Sequence, residues 1–230
     1  MLFSGGKDST FAILKAREAG HLVACLINLK PQSDESMLFH YPNNRLVRYQ
    51  AEAMEIPLIE GRITDNSISA ETDALVGCLK KAVSQYEIEG VVHGGIASNF
   101  QKQAFEQACN ECNISAMSPL WHTNPLAYMC ELLARGFEIV IVSVSAMGLD
   151  KNWLGRKLDH ASIKMLAKLS EKFGFNLNFE GGEAETLVID CPLFKKKLAI
   201  QRAVVSWDGQ RGMFEIQEAA LVDKEQRDNV

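Results

Sequence analysis

Ser4-Gly5-Gly6-Lys7-Asp8-Ser9, running on into Thr10-Phe11-Ala12-Ile13, decides how this 230-residue chain is to be read. Two adjacent glycines let the backbone approach an anion and turn its N–H groups toward it, while the serines donate hydroxyl hydrogen bonds and Lys7 brings a positive charge. A helix predicted from about Thr10 to Ala19 aims the positive end of its dipole at the same place. The spacing does not fit a Walker A loop, which needs glycine, four residues and then Gly-Lys-Ser/Thr, or a Rossmann fingerprint, which needs spaced glycines. A glycine pair before a helix also makes an ordinary tight turn; the serines and Lys7 favour a phosphate site.

Working outward, the chain has 47% hydrophobic residues, enough to bury a core as one large domain or two small ones. Its formal net charge is -5, and its longest basic run is Lys195-Lys196-Lys197. That balance disfavours a broad nucleic-acid footprint. No stretch approaches the roughly 18 consecutive apolar residues of a membrane span, and the start lacks the basic-then-apolar order of a signal peptide. A cytoplasmic protein is expected. Cys25, Cys78, Cys109, Cys112, Cys130 and Cys191 lie mostly among apolar neighbours and read as reduced thiols. Cys109 and Cys112 form a CxxC inside a helical pattern with Ala104, Phe105 and Ala108, which favours packing over metal or redox chemistry.

The first half alternates strand and helix, the signature of a parallel sheet with helices on its faces. Met1-Leu2-Phe3 feeds the loop; strands are predicted at Leu22–Leu29, Pro57–Glu60 and Val91–His93, and helices at Arg45–Met54, Ala70–Tyr86 and Asn99–Cys112. After Pro119-Leu120-Trp121 the pattern changes to helices at Pro125–Arg135 and Ala161–Phe173 with strands at Glu138–Val144, Thr186–Asp190, Leu198–Trp207 and Met213–Leu221. Asp208–Gly212 reads as the turn of a final hairpin. The expected organisation is an ATP-binding α/β domain over residues 1–115 and a smaller C-terminal α+β substrate lobe over 116–230.

Several further segments carry candidate chemistry. His40 precedes a Pro42-Asn43 turn on the loop leaving the second strand, at the carboxyl edge where open α/β sheets gather ligands. Gly94-Gly95 ends a strand at that edge, either as a simple turn or so that a nucleotide can lie against bare backbone. Glu183 and Glu185, two apart, share a face if extended, and with Glu180 they gather negative charge beside Gly181-Gly182. They are suited to hold Mg²⁺ with ATP phosphates, to accept protons from an attacking amine, or to grip a cationic group. Trp121 and Trp153 either fill the core or offer a ring face to a cation. Arg156 suits a phosphate, an acyl-adenylate or a carboxylate in the lobe interface.

The first loop resembles the pyrophosphatase loop, Ser-Gly-Gly-x-Asp-Ser, of enzymes that split ATP into AMP and pyrophosphate. Taken with Phe39-His40-Tyr41-Pro42-Asn43, Gly94 to Gln101, Pro119-Leu120-Trp121, Gly148-Leu149-Asp150, Trp153 to Arg156 and Glu180 to Val188, the chain is similar to the diphthine–ammonia ligases and their archaeal-type relatives. The Gly-Gly-Glu-x-Glu-Thr segment is the most specific of these; Ala184 stands where relatives usually carry an aromatic residue.

That resemblance implies a parallel Rossmann-like sheet of the adenine nucleotide alpha hydrolase-like (HUP) type. It also implies an amide-forming ligase that adenylates a carboxylate, releases pyrophosphate and lets free ammonium displace AMP, with diphthine on translation elongation factor 2 as acceptor. ATP and Mg²⁺ are the implied cofactors; a homodimer is compatible and nucleic acid is not expected. Ser4, Gly5, Gly6, Lys7, Ser9, Gly94 and Gly95 would bind ATP, and Lys7, Asp8, Glu183 and Glu185 would act in catalysis, Asp8 also on the metal. His40, Asn43, Ser98, Gln101, Arg156 and Thr186 would bind substrate. Against it stand a related ligase acting on another carboxylate, if the source is bacterial, and a tRNA-modifying adenylating enzyme that would use Cys109 and Cys112.

Overall fold

Leu2 is the point where the N-terminal sheet is joined. In the computed structural model, which describes residues 1–30, 43–63, 65 and 67–224, Met1–Phe3 lies between two parallel pairs. On one side is β1 (Leu26–Lys30), paired in parallel with β2 (Leu58–Arg62). On the other is β3 (Gly90–Val92), paired in parallel with β4 (Ser115–Met117). The Ile27 N–H donates to Met1 O at 2.8 Å, Phe3 N–H to Ile27 O at 2.8 Å and Leu2 N–H to Val92 O at 2.9 Å. The order is therefore β2, β1, Met1–Phe3, β3, β4, and the stub that feeds the phosphate loop is central.

Alternate residues of these strands face opposite sides, as strand geometry requires. Met1, Phe3 and Leu26 join the core beneath α1 (Lys7–Glu18) and α2 (Val47–Met54). Leu2, Ile27, Leu29 and Val91 face α3 (Ile68–Tyr86) and α4 (Asn99–Glu111) instead. Helix α1 buries Phe11, Ala12, Ile13 and Ala16 completely.

The second half places α5 (Pro125–Ala134) and α6 (His160–Phe173) with an antiparallel sheet of β5 (Glu138–Val144), β6 (Ala184–Asp190), β7 (Lys196–Trp207) and β8 (Gly212–Asp223), in the order β6, β5, β8, β7. Asp208 closes the last hairpin by accepting from Gln210 N at 2.8 Å and Arg211 N at 2.7 Å.

Three readings shift. Strand β1 begins at Leu26 and not at Leu22, whose side chain is 89% exposed. Helix α1 begins at Lys7, so the loop residues themselves form its first turn. Strand β4 is an addition: Ser115-Ala116-Met117 has neither length nor an apolar run, and residue 116 falls inside it. One apolar core crosses the two halves, joining Phe3 and Phe11 to Leu120, Tyr128, Phe137 and Trp153.

Candidate active site

Ser4 to Thr10 form a closed turn. Ser9 Oγ lies 3.1 Å from Ser4 Oγ and donates to Gly6 O at 3.3 Å, and Thr10 Oγ1 donates to Gly6 O at 2.8 Å. Gly5 has φ +82°, a conformation that favours glycine. Its carbonyl is held from behind by Gln50 Nε2 at 2.8 Å and by Val188 N at 3.1 Å, and Gln50 also donates to Val188 O at 2.8 Å. With the carbonyl turned back, the Gly6 N–H of the same peptide points the opposite way, toward Ser4 Oγ at 3.4 Å. The first-turn N–H groups of α1 ahead of Thr10 have no intrahelical acceptor; that of Lys7 goes to Thr186 Oγ1 at 3.2 Å, across 179 residues of sequence. The phosphate loop and strand β6 thus meet.

Lys7 is only 2% exposed. Its Nζ lies 3.0 Å from Asp8 Oδ2 and 5.4 Å from the centre of the Phe179 ring. Asp8 Oδ1 accepts from Tyr128 Oη at 2.6 Å. Burial first, and then the charge of Asp8, push the Tyr128 phenol well above its ordinary range.

The three carboxylates of the Glu-Gly-Gly-Glu-x-Glu segment part company. Glu180 Oε1 accepts from Ile96 N at 3.0 Å and Ser98 N at 2.8 Å, and from Ala97 N between them, so it fixes the loop that leads into α4. Glu183 sits in the turn before β6, where Oε1 accepts from Asn176 N at 2.8 Å and Oε2 is buried without a hydrogen-bond partner. Glu185 lies in the strand and faces the cleft. The shared face expected of Glu183 and Glu185 is not formed, because only Glu185 is in extended pairing.

That cleft opens between the phosphate loop and strand β6. Of the predicted residues, Ser4, Gly6, Lys7, Asp8, Ser9, Gly94, Gly95, Gln101, Glu185 and Thr186 line it. Gly5 supports it from behind, and Ser98 serves as the N-cap of α4, its Oγ accepting from Gln101 N at 3.3 Å. A Cβ on Gly94 would lie 2.7 Å from the backbone of Asp8 and Ser9, so this glycine lets β3 pack against the first turn of α1. Glu183, Asn43 and Arg156 do not line the cleft. Asn43 is pinned to β8, with Nδ2 donating to Phe214 O at 3.0 Å and Oδ1 accepting from Ile216 N at 2.9 Å. Arg156 stacks on Trp153, its guanidinium 4.7 Å from the ring centre. His40 lies outside the described residues.

Trp153 is buried, and Trp121 already carries Lys102 over its ring at 4.6 Å. Cys109 is buried in the core, and desolvation pushes its thiol up to about 11. At neutral pH it is not a thiolate.

Residues that sequence reasoning missed complete the site. His93 lines the cleft with Nδ1 accepting from Gly95 N at 3.2 Å; burial, then nearby Lys102, bring its imidazole down to about 4, so it is neutral. Asn28 also lines it, buried, with Nδ2 donating to Phe3 O at 2.9 Å. Tyr128 and Gln50 act through partners far off in sequence, and no local pattern marks them. Among the described residues no group of three or more His, Cys, Asp or Glu is arranged to hold a metal ion. Mg²⁺ in nucleotide sites needs only one or two carboxylates besides phosphate oxygens. Asp8, whose side chain is 32% exposed in the cleft, meets that need.

Residues 1–116 match the family model described as the diphthamide synthase N-terminal domain, and residues 124–222 match that of the diphthamide synthase C-terminal domain. A diphthine–ammonia ligase of Bos taurus is 33% identical over 222 residues, covering 89% of this chain and 83% of its own. That of Rattus norvegicus is 35% identical over 217 residues, covering 86% and 81%. A solved structure from Methanocaldococcus jannaschii, described as a "predicted subunit of tRNA methyltransferase", aligns over 83% of this chain and 95% of its own at 15% identity and a TM-score of 0.41, too remote to bear on function. With both family models matched in order around a single cleft, the chain belongs to the diphthamide synthase family of diphthine–ammonia ligases.

Proposed function

We propose that this protein is an ATP-dependent ligase that converts the carboxylate of diphthine on elongation factor 2 to the amide of diphthamide, in the cytoplasm. The observation that carries the reading is the hydrogen bond from Lys7 N to Thr186 Oγ1 at 3.2 Å, which brings the phosphate loop and the family's most specific segment to one cleft. The acceptor carboxylate attacks the α-phosphorus of ATP, the bond to pyrophosphate breaks, and an acyl-adenylate forms. Ammonia then attacks the acyl carbon and AMP leaves. A carboxylate resists nucleophiles through its charge and resonance, so the mixed anhydride replaces one hard step with two easier ones.

The chain's own residues do electrostatic work. Lys7, the Gly5-Gly6 backbone and the first turn of α1 take up charge developing on the departing pyrophosphate. Asp8 would hold Mg²⁺, which when bound neutralises phosphate charge. Glu185 is the carboxylate in reach of the incoming ammonia and takes its proton; Glu183 holds the turn. His93 and Gly94-Gly95 form a neutral wall for the nucleoside.

Incubation with ATP, Mg²⁺, ammonium and elongation factor 2 bearing diphthine is expected to release AMP and to leave an amide on the acceptor by mass. ADP as product would refute the loop assignment; AMP release with no amide on that acceptor would refute the substrate.

A further inference from the structure

We infer that Tyr128 is a positioning residue of this reaction: it holds Asp8, which in turn fixes the ammonium of Lys7, and the inference rests on the phosphate-loop reading above. Tyr128 comes from α5, in the other half of the chain, and its buried ring packs on Phe11 with centroids 5.7 Å apart. The hydroxyl donates to Asp8 Oδ1 at 2.6 Å, Asp8 Oδ2 lies 3.0 Å from Lys7 Nζ, and Nζ sits 5.4 Å from the Phe179 ring centre. The phenol O–H is the donor of this contact, because the Asp8 carboxylate can only accept.

A lysine is a point charge on a flexible four-carbon stem, and it acts well on a developing charge only if already in place. Here one carboxylate and one ring define its position, and the carboxylate is itself held from α5. Without the hydroxyl, Asp8 is free to turn toward water, since its side chain is 32% exposed. Lys7 then loses its fixed counter-charge. Gln50 does a different task, because both of its donors go to backbone carbonyls and so set the path of the loop.

The test is a double-mutant cycle read by the affinity for inorganic pyrophosphate, in the full chain, with the thermal midpoint measured in parallel. Tyr128→Phe keeps the ring and removes only the donor, and water replaces it at the partly exposed carboxylate, so the variant folds. It is expected to weaken pyrophosphate about tenfold, the scale of one charge-assisted hydrogen bond, and by less than about twofold in a Lys7→Met background, where nothing is left to position. An unchanged affinity, or an equal loss in both backgrounds, overturns the inference. If the unmodified protein does not bind pyrophosphate, the loop reading itself fails; if it does and Lys7→Met weakens binding while Tyr128→Phe does not, only the role of Tyr128 falls.

Discussion

A methyl group at position 5 would lie 2.2 Å from Gln50 Oε1, on a residue whose φ of +82° already disfavours any side chain. Gly5→Ala is therefore expected to lower stability by about 1–3 kcal/mol, seen as a lower urea midpoint, and to suppress AMP release more than fold stability alone explains. The two glutamates separate by their surroundings. Glu185→Gln is expected to cut kcat by roughly 10²–10⁴, as loss of a proton acceptor does, with an unchanged urea midpoint; Glu183→Gln should do the reverse. Their distinction was not legible, because spacing alone cannot tell that Glu183 closes a turn while Glu185 has entered the strand. His93 gives a pH test. Its folded pKa of about 4 lies below the ordinary 6.5, so the unfolded chain binds the extra proton in that window. The stability from keeping His93 neutral is complete above pH ~6.5 and falls away toward pH ~4, by up to about 3 kcal/mol. Denaturant midpoints at pH 7 and pH 5 should differ less in His93→Asn than in the parent.

Among the elements, α4 depends most on a distant group. Glu180 places a carboxylate just ahead of its N-terminus, where it accepts from the N–H groups of Ile96 and Ser98 in the entering loop and the helix dipole is positive. Glu180→Ala is expected to cost about 1–3 kcal/mol, and hydrogen exchange should rise at Ile96 to Ser98 before it rises in α4. The helices and the longer strands were legible from apolar periodicity, and Glu138–Val144 keeps its predicted bounds. Strand β4 was not, since Ser115-Ala116-Met117 is specified by its pairing with Gly90–Val92 and not by its own composition. The closed turn from Ser4 to Thr10 was legible because its hydrogen bonds are local. Gln50 and Tyr128 were not, because each is defined by partners that only the folded chain supplies.

At the scale of the molecule, the core from Met1 and Phe3 through Tyr128 and Phe137 to Phe194 belongs to both halves. Unfolding is expected to be a single transition by fluorescence and by far-ultraviolet dichroism, and residues 1–116 made alone should lack one; a cooperative isolated fragment would contradict this. The bond between Lys7 and Thr186 carries a consequence for synthesis. Domains form from the N-terminus as the chain leaves the ribosome, yet this cradle waits for β6. A nascent chain displays its glycine loop long before Thr186 and Val188 arrive to brace it, so nucleotide capture must wait until synthesis has passed Val188.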